Sequence, residues 1–110
     1  MSYLESLRVF VRVVELGSIT AGGRDLRLSP AVASNRIKDL ENRFGLRLLN
    51  RTTRRQSPTE AGAVFYRRVV EILASSREAE ALVAGGASGL VAIARELGGD
   101  ERVVAVVQYL

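Results

Sequence analysis

The chain has 110 residues, of which 47% are apolar, and a net charge of +4 at pH 7, values that suit one domain with a single hydrophobic core. Because it contains neither Cys nor His, disulfides and thiolate metal sites are excluded, and the commonest metal ligand and acid–base catalyst is missing. The start lacks the features of a signal peptide, and no apolar stretch approaches the ~18–20 residues that span a bilayer, so we expect a cytoplasmic protein that does not enter membranes.

A first helix is predicted over residues 3–16, where apolar side chains recur at spacings of three and four. Gly17 ends this helix, and a shorter second helix follows over residues 19–26. The pair Gly22-Gly23 lies inside the second helix, where each glycine costs about 1 kcal/mol relative to Ala. We therefore expect another helix to cross closely at these glycines.

A third helix is predicted to begin at Ser29-Pro30, because Ser is a favoured N-cap and Pro at the first helical position loses no needed hydrogen bond. Gly45 would end this helix in the left-handed conformation. The positions predicted to be buried are Val32, Ile37, Leu40 and Phe44.

The segment between residues 46 and 57 is predicted to form two short strands joined by an exposed basic turn, which together make a wing. The alternative is a plain basic loop. Five Arg and no acidic residue lie between residues 42 and 59. Such a block of one sign indicates either a polyanionic partner or a solvated surface with surplus Arg.

A long helix is predicted over residues 58–84. Ser57 as N-cap and Glu60 would form a capping box with Pro58 at the first helical position, and Thr59 is the alternative cap. Along this helix, apolar and small residues alternate spacings of four and three, as in a coiled-coil seam. The seam favours pairing with a second chain, and the alternative is burial against the protein's own core. The seam residues are Phe65, Val69, Ile72, Ser76, Ala79 and Val83.

Residues 85–110 carry weaker signals. Gly85–Gly89 predicts a flexible break, residues 90–97 a weak helix or the start of a strand, and residues 98–100 a turn. Val103–Leu110 is β-branched and apolar and predicts a strand. A missing domain, pairing between chains, or poor order are the open interpretations of that strand.

The order of these elements is that of a mainly α winged helix-turn-helix, with a three-helix core, a small β wing and a long linker helix. Such a fold places its recognition helix, N-terminus first, in the major groove of DNA. Asn35 is the strongest candidate for reading a base, because an amide can pair bidentately with adenine; an ordinary solvated helix face is the alternative. The candidate contacts on the third helix are Ser29, Pro30, Ala31, Ser34, Asn35 and Lys38. The candidates in the wing, which would meet phosphates or a narrow minor groove, are Arg51, Thr52, Arg54 and Arg55.

Four segments in this order resemble the N-terminal domain of LysR-type transcriptional regulators, over about residues 3–84. ELGSIT is similar to the end of that family's first helix, RLSPAVASNRIKDLE to its recognition helix, FGLRLLNRTTR to its wing segment and TEAG to the start of its linker helix. The resemblance implies a bacterial transcription factor that binds interrupted inverted repeats as a homodimer. It also implies a C-terminal domain that senses a small molecule.

The resemblance implies DNA contacts at the residues named above on the third helix, and a wing contact at Arg51. It divides the chain into a DNA-binding domain at 1–57, a linker and dimerisation helix at 58–84, and a remnant at 85–110, so we expect the effector domain and its small-molecule site to be absent. The sequence departs from the family at Gly22-Gly23, where Ala-Ala is usual. It departs again at Asn35, where Arg is common. The implied dimer contacts are Phe65, Val69, Ile72, Ala79 and Val83.

A winged-helix module that binds proteins is the alternative function, since a fold does not fix a function. Such a module would expose apolar anchors on its recognition helix and would not need an Arg-rich wing. An enzyme would have to use Gly85–Gly89 as a phosphate loop, but this segment follows a helix and matches neither the P-loop nor the dinucleotide pattern. We therefore expect no catalytic residue, no cofactor and no metal.

Overall fold

Four helices and a two-stranded sheet make up the computed structural model, which describes residues 2–51, 55–85, 95–96 and 98. The chain divides into two units, Met1–Leu73 and Ala74–Leu110. In chain order the elements are α1 Tyr3–Leu16, α2 Ile19–Asp25, α3 Pro30–Phe44, β1 Leu49–Asn50, β2 Ser57–Pro58 and α4 Glu60–Ala84. The predicted architecture, mainly α with a small wing sheet, is confirmed.

The ends of the first three helices follow local signals in the sequence. α1 begins after Ser2, whose hydroxyl accepts a hydrogen bond from Glu5 N (3.2 Å), while the Glu5 carboxylate accepts one from Ser2 N. α3 begins after Ser29, whose hydroxyl accepts from the amide three residues on, and it ends at Gly45 with φ of 69°. The predicted bounds of α1 and α3 are confirmed, and α2 ends one residue earlier than predicted.

The core of the first unit combines one face each of α1 and α3 with residues of the wing and α4. Phe10 and Leu7 of α1 and Ile37 of α3 are fully buried. Burial of side chains of this size contributes about 1.5–3 kcal/mol each. The core also contains Val9, Val11, Val13, Ala33, Leu40, Leu48, Leu49, Val69 and Leu73.

Phe44 differs from the prediction, because it lies at the last residue of α3 and its side chain is 39% exposed. Its ring meets Phe65 edge-on with centroids 5.2 Å apart, and Phe65 in turn contacts Phe10 at 5.5 Å. Val32, also predicted to be buried, is half-buried. The aromatic contacts therefore join α4 to α1 and α3 at the rim of the core.

α2 approaches both neighbouring helices so closely that no side chain fits between them. A Cβ placed on Gly22 would lie 2.7 Å from Val13 Cγ2 and 2.9 Å from the Val13 amide nitrogen. A Cβ placed on Gly23 would lie 2.8 Å from the Cβ of Ala33. The close crossing predicted from the two glycines is confirmed, with α1 against one glycine and α3 against the other.

The start of α4 differs from the predicted capping box. Ser57 and Pro58 form β2 and pair antiparallel with β1, so Ser57 is part of a strand and does not cap a helix. The alternative, Thr59, is the cap, since its hydroxyl accepts a hydrogen bond from the amide three residues on at 3.0 Å. The capping box was wrong because strand pairing uses the residues that the local pattern assigned to the helix.

The seam predicted along α4 divides into buried and exposed positions. Val69 is fully buried in the core and Phe65 packs against that core, so burial in the protein's own core holds for these two positions. Leu73, which the seam did not include, is also buried. Val69 is therefore unavailable to a partner and is removed from the predicted dimer contacts. The dimer candidates that stay exposed are Ile72, Ala79 and Val83.

Most of the predicted features of residues 86–110 lie outside the described residues. These features are the break through Gly89, the helix or strand over 90–97 apart from two residues, and the strand over 103–110. Of the turn predicted at 98–100, only Gly98 is described, and its amide donates to the carbonyl of Arg95 at 3.1 Å.

The close crossing of α1 and α2 predicts the effect of filling it. Gly22→Ala is expected to lower the free energy of unfolding by about 1–3 kcal/mol, because crowding against Val13 outweighs the gain of about 1 kcal/mol in helix propensity. Urea denaturation measures this difference. Thr20→Ala, at an exposed position of the same helix, is the control and should leave stability within about 0.5 kcal/mol. A more stable Gly22→Ala protein would show that the crossing is looser than described.

Candidate nucleic-acid interface

The outer face of α3 presents the side chains predicted to read DNA. Ala33 and Ile37 on its inner face are fully buried in the core, which turns the opposite face outward. Ser34 on that outer face is half-buried. The exposed members are Ser29, Pro30, Ala31, Asn35 and Lys38. The structure thus leaves five of the six predicted residues exposed and Ser34 half-buried.

A chain of polar contacts holds α2 and α4 against α1, away from that surface. Arg12 of α1 donates to Asp25 at 2.7 Å and to Glu15 at 2.7 Å. The Tyr66 hydroxyl of α4 donates to the other oxygen of Glu15 at 2.9 Å. Hydrogen bonds to Asp25 and Glu15 raise the pKa of Arg12, and the hydrogen bond to Glu15, with burial, raises the pKa of Tyr66. These hydrogen bonds connect α1 to α2 and to α4.

Glu41 connects α3 to the first strand of the wing. Its side chain is 9% exposed, and one carboxylate oxygen accepts hydrogen bonds from Leu48 N at 2.8 Å and Leu49 N at 3.3 Å. The other oxygen forms an ion pair with the guanidinium of Arg51. The predicted DNA contact Arg51 is therefore already engaged with a buried acid.

Gln56 fixes the second side of the wing. Its backbone N–H donates a hydrogen bond to the carbonyl of Gly17 at 2.9 Å, and its side-chain oxygen accepts one from Ile19 N at 2.8 Å. The wing is thereby attached to the turn between α1 and α2. No local sequence pattern marks Gln56 or Glu41 as functional, because the partners of both side chains lie on other elements.

The remaining predicted wing residues divide between described and undescribed positions. Arg55 is exposed, and its side chain lies beside the backbone at Gly17. Thr52 and Arg54 lie outside the described residues.

A cleft of about 470 Å³ lies where the last turns of α3 face the start of the wing. Lys38 and Arg51 both line it, so α3 and the wing meet at a common basic surface. Arg47 and Asn42 line it as well, and neither was among the predicted contacts. The absence of acidic residues between 42 and 59 was the signal that pointed to Arg47. Such a surface can bind a polyanion through charge and amide hydrogen bonds.

Among the described residues, clusters of acidic side chains that could hold a metal ion and membrane-spanning helices are both absent. No group of three or more Asp and Glu side chains there is arranged to hold a metal ion. No helix among those residues is long and apolar enough to cross a membrane.

Comparison with known proteins gives one family. The family model described as bacterial regulatory helix-turn-helix protein, lysR family, matches residues 4–63. An HTH-type transcriptional regulator of Xanthomonas campestris is 43% identical over 86 residues, which is 78% of this chain and 25% of the relative. The HTH-type transcriptional regulator CrgA of Neisseria meningitidis is 45% identical over 76 residues, which is 69% of this chain and 25% of the relative. The chain therefore spans about a quarter of the length of these relatives.

Solved structures agree with this assignment. The DNA-binding domain of BenM in complex with catB site 1 DNA superposes with a TM-score of 0.72 at 31% identity, covering 76% of this chain and 92% of that one. The DNA-binding domain of CbnR in complex with DNA gives a TM-score of 0.67 at 28% identity, covering 77% and 98%. Both similar structures are DNA complexes of isolated DNA-binding domains.

The contact between Tyr66 and Glu15 predicts a pH-dependent contribution to stability. Tyr66→Phe is expected to lower the free energy of unfolding at neutral pH by about 0.5 kcal/mol, at the low end for a hydrogen bond because Glu15 is exposed. Since folding raises the pKa of Tyr66 above its ordinary value of 10.0, this contribution is complete below about pH 10 and is lost as the pH rises through the raised pKa.

Urea denaturation of the unaltered chain and of Tyr66→Phe between neutral and strongly alkaline pH measures this loss. The difference between the two proteins should shrink as the tyrosine ionises. Tyr3→Phe, at an exposed tyrosine of α1, is the control for general alkaline effects. A difference that persisted unchanged at alkaline pH would contradict the assigned hydrogen bond.

Proposed function

Because the chain belongs to the LysR family of bacterial regulatory helix-turn-helix proteins, we propose that it binds double-stranded DNA in a sequence-specific manner and regulates transcription, without catalysing a reaction. The observation that carries this proposal is the exposed polar face of α3 beside a basic wing, in a fold whose similar solved structures include DNA complexes. The named relatives are transcriptional regulators. We therefore propose that the protein acts in the cytoplasm, where bacterial DNA lies.

We propose that α3 lies in the major groove with its first two turns towards the base edges. Asn35 is exposed there and has no hydrogen-bond partner among the described residues that would occupy its side-chain amide. Lys38, one turn further, would reach a base or a phosphate. The proposed contacts of α3 are those six residues: Ser29, Pro30, Ala31, Ser34, Asn35 and Lys38.

The wing would lie along the DNA backbone beside α3. Arg55 is exposed and suits a phosphate or a narrow minor groove, and Thr52 and Arg54 stay proposed neighbours of that contact. Lys38 and Arg47 at the cleft add positive charge on the same side. Each phosphate neutralised would make the binding more sensitive to salt.

We propose that the protein acts as a homodimer through α4 and so binds an interrupted inverted repeat. Ile72 is 45% exposed and Val83 is 64% exposed, apolar side chains that pairing with a second copy would cover. Ala79 lies between them in the sequence pattern. Phe65 contributes at most its exposed edge, because it packs on the core.

The alternative, a winged helix that binds proteins, is less well supported by α3. Between Pro30 and Arg43, no large apolar side chain of that helix is exposed. A protein-binding recognition helix would need such anchors. The exposed surface there is polar and suits DNA.

Selection from a pool of random duplex DNA at two salt concentrations tests the proposed function. Enrichment of an inverted repeat is the expected result. Salt-sensitive binding without an enriched motif would reject sequence-specific binding, and an absence of binding at both salt concentrations would favour the protein-binding alternative.

Asn35→Ala is expected to relax base choice at one position of each half-site and to weaken binding to the preferred sequence by about 1–3 kcal/mol, because a bidentate amide contact is lost. The same selection assay, applied to the variant, measures this. Ser75→Ala, at an exposed position of α4, is the control. An unchanged base profile for Asn35→Ala would contradict the assigned role.

A further inference from the structure

We propose that Arg51 supports DNA recognition as a positioning residue: it neutralises the buried carboxylate of Glu41, which joins the recognition helix to the wing, and does not itself bind a DNA phosphate. This proposal rests on the proposed function of DNA binding. It differs from the role that the family resemblance implies for Arg51, which is a direct wing contact.

Glu41 is the one acidic side chain that is buried among the described residues, at 8% residue exposure. It lies on α3 between the core residue Leu40 and the exposed Asn42. Burial removes water from a carboxylate, and the ionised form is then stable only if hydrogen bonds and a counter-charge replace that water. The amides of Leu48 and Leu49 supply two of these hydrogen bonds.

Arg51 supplies the counter-charge. Lys38 and Arg47 line the same cleft, but within the described residues Arg51 is the cation that lies within ion-pair distance of Glu41. The Arg51 side chain is only 23% exposed. Arg55, by contrast, is exposed and forms no ion pair among the residues described.

The ion pair determines the position of the wing because the wing sheet has little stability of its own. β1 and β2 pair over two residues each, and so short a hairpin is unstable alone. The carboxylate of Glu41 holds the amides at the start of β1 against α3, one helical turn beyond the proposed DNA contact Lys38. Loss of Arg51 would leave this carboxylate buried without its counter-charge, a strongly unfavourable state that water would relieve by opening the joint.

A phosphate contact would compete with this pairing. A phosphate would have to share the guanidinium with Glu41, whose carboxylate lines the same cleft as Arg51. The two negative charges would repel each other in a partly dry environment. The phosphate is better served by Arg55, Lys38 or Arg47, which carry no such partner in the described structure.

A double-mutant cycle on DNA binding tests the proposal. The proteins are the unaltered chain, Arg51→Ala, Glu41→Gln, the combined Glu41→Gln/Arg51→Ala variant, Arg51→Lys, and Arg55→Ala as the matched arginine. The probe is a duplex enriched from a random pool by the unaltered chain. Its affinity is measured over a series of salt concentrations, below the unfolding temperature of each protein.

Arg51→Ala is expected to weaken binding by at least about tenfold without changing the salt slope, whereas Arg55→Ala should flatten the slope by about one unit. Gln at position 41 keeps an oxygen for the two amides but carries no charge, so it removes the need for Arg51. The combined variant should therefore bind within about threefold of Glu41→Gln alone. Arg51→Lys retains the counter-charge and should bind within about threefold of the unaltered chain.

Two outcomes would overturn the positioning role alone. One is a slope that flattens by about one unit in Arg51→Ala and again in the combined variant, since this would identify a phosphate contact. Another is a loss of affinity in the Glu41→Gln background as large as in the unaltered one. If Arg51→Ala does not fold, Arg51→Lys and the combined variant carry the same comparison. An unaltered chain that binds no DNA at all would instead reject the proposed function, and the positioning role with it.

Discussion

The approach of α2 to its two neighbours is the constraint on which the helical core depends. Gly22 lies against the backbone of α1 and Gly23 against Ala33 of α3, at distances where a methyl group would overlap its neighbour. In α2 these two glycines are the buried residues, so this short helix gains little from apolar side chains of its own. The position of α2 is set by close contact of its backbone with α1 and α3 and by the ion pair between Arg12 and Asp25. The direction of α3, and so the face it presents, follows from this contact.

The wing has the opposite character, since distant residues hold it in place. Glu41 fixes the start of β1 to α3, Gln56 fixes the other side to the turn after α1, and Thr59 donates its hydroxyl hydrogen to the carbonyl of Arg47 at 2.8 Å. Glu41 belongs to α3, Gln56 directly precedes β2, and Thr59 directly precedes α4. A two-residue ladder that could not persist alone is thereby given one position relative to the recognition helix.

The sequence was sufficient wherever structure depends on neighbours along the chain. The bounds of α3 follow from Ser29, Pro30 and Gly45, and the close helix crossing follows from the cost of Gly22-Gly23. It was insufficient where distant partners decide. Ser57, predicted to cap α4, pairs with β1 instead, and Val69, predicted to contact a second chain, is buried in the core. Helical spacing predicted the outer face of α3, where Asn35 and Lys38 are exposed, whereas the ion pair of Arg51 joins residues ten positions apart, which no local pattern marks.

Because Val69 and Leu73 are buried, the folding unit extends beyond the residues that the family model matches. The family model ends at residue 63, yet the first unit extends to Leu73, because the second to fourth turns of α4 contribute Phe65, Val69 and Leu73 to the core. A chain cut at residue 63 would lose Phe65, Val69 and Leu73 and leave that core open to water. A fragment that folds must therefore carry ten further residues, so the first part of α4 belongs structurally to the domain that precedes it.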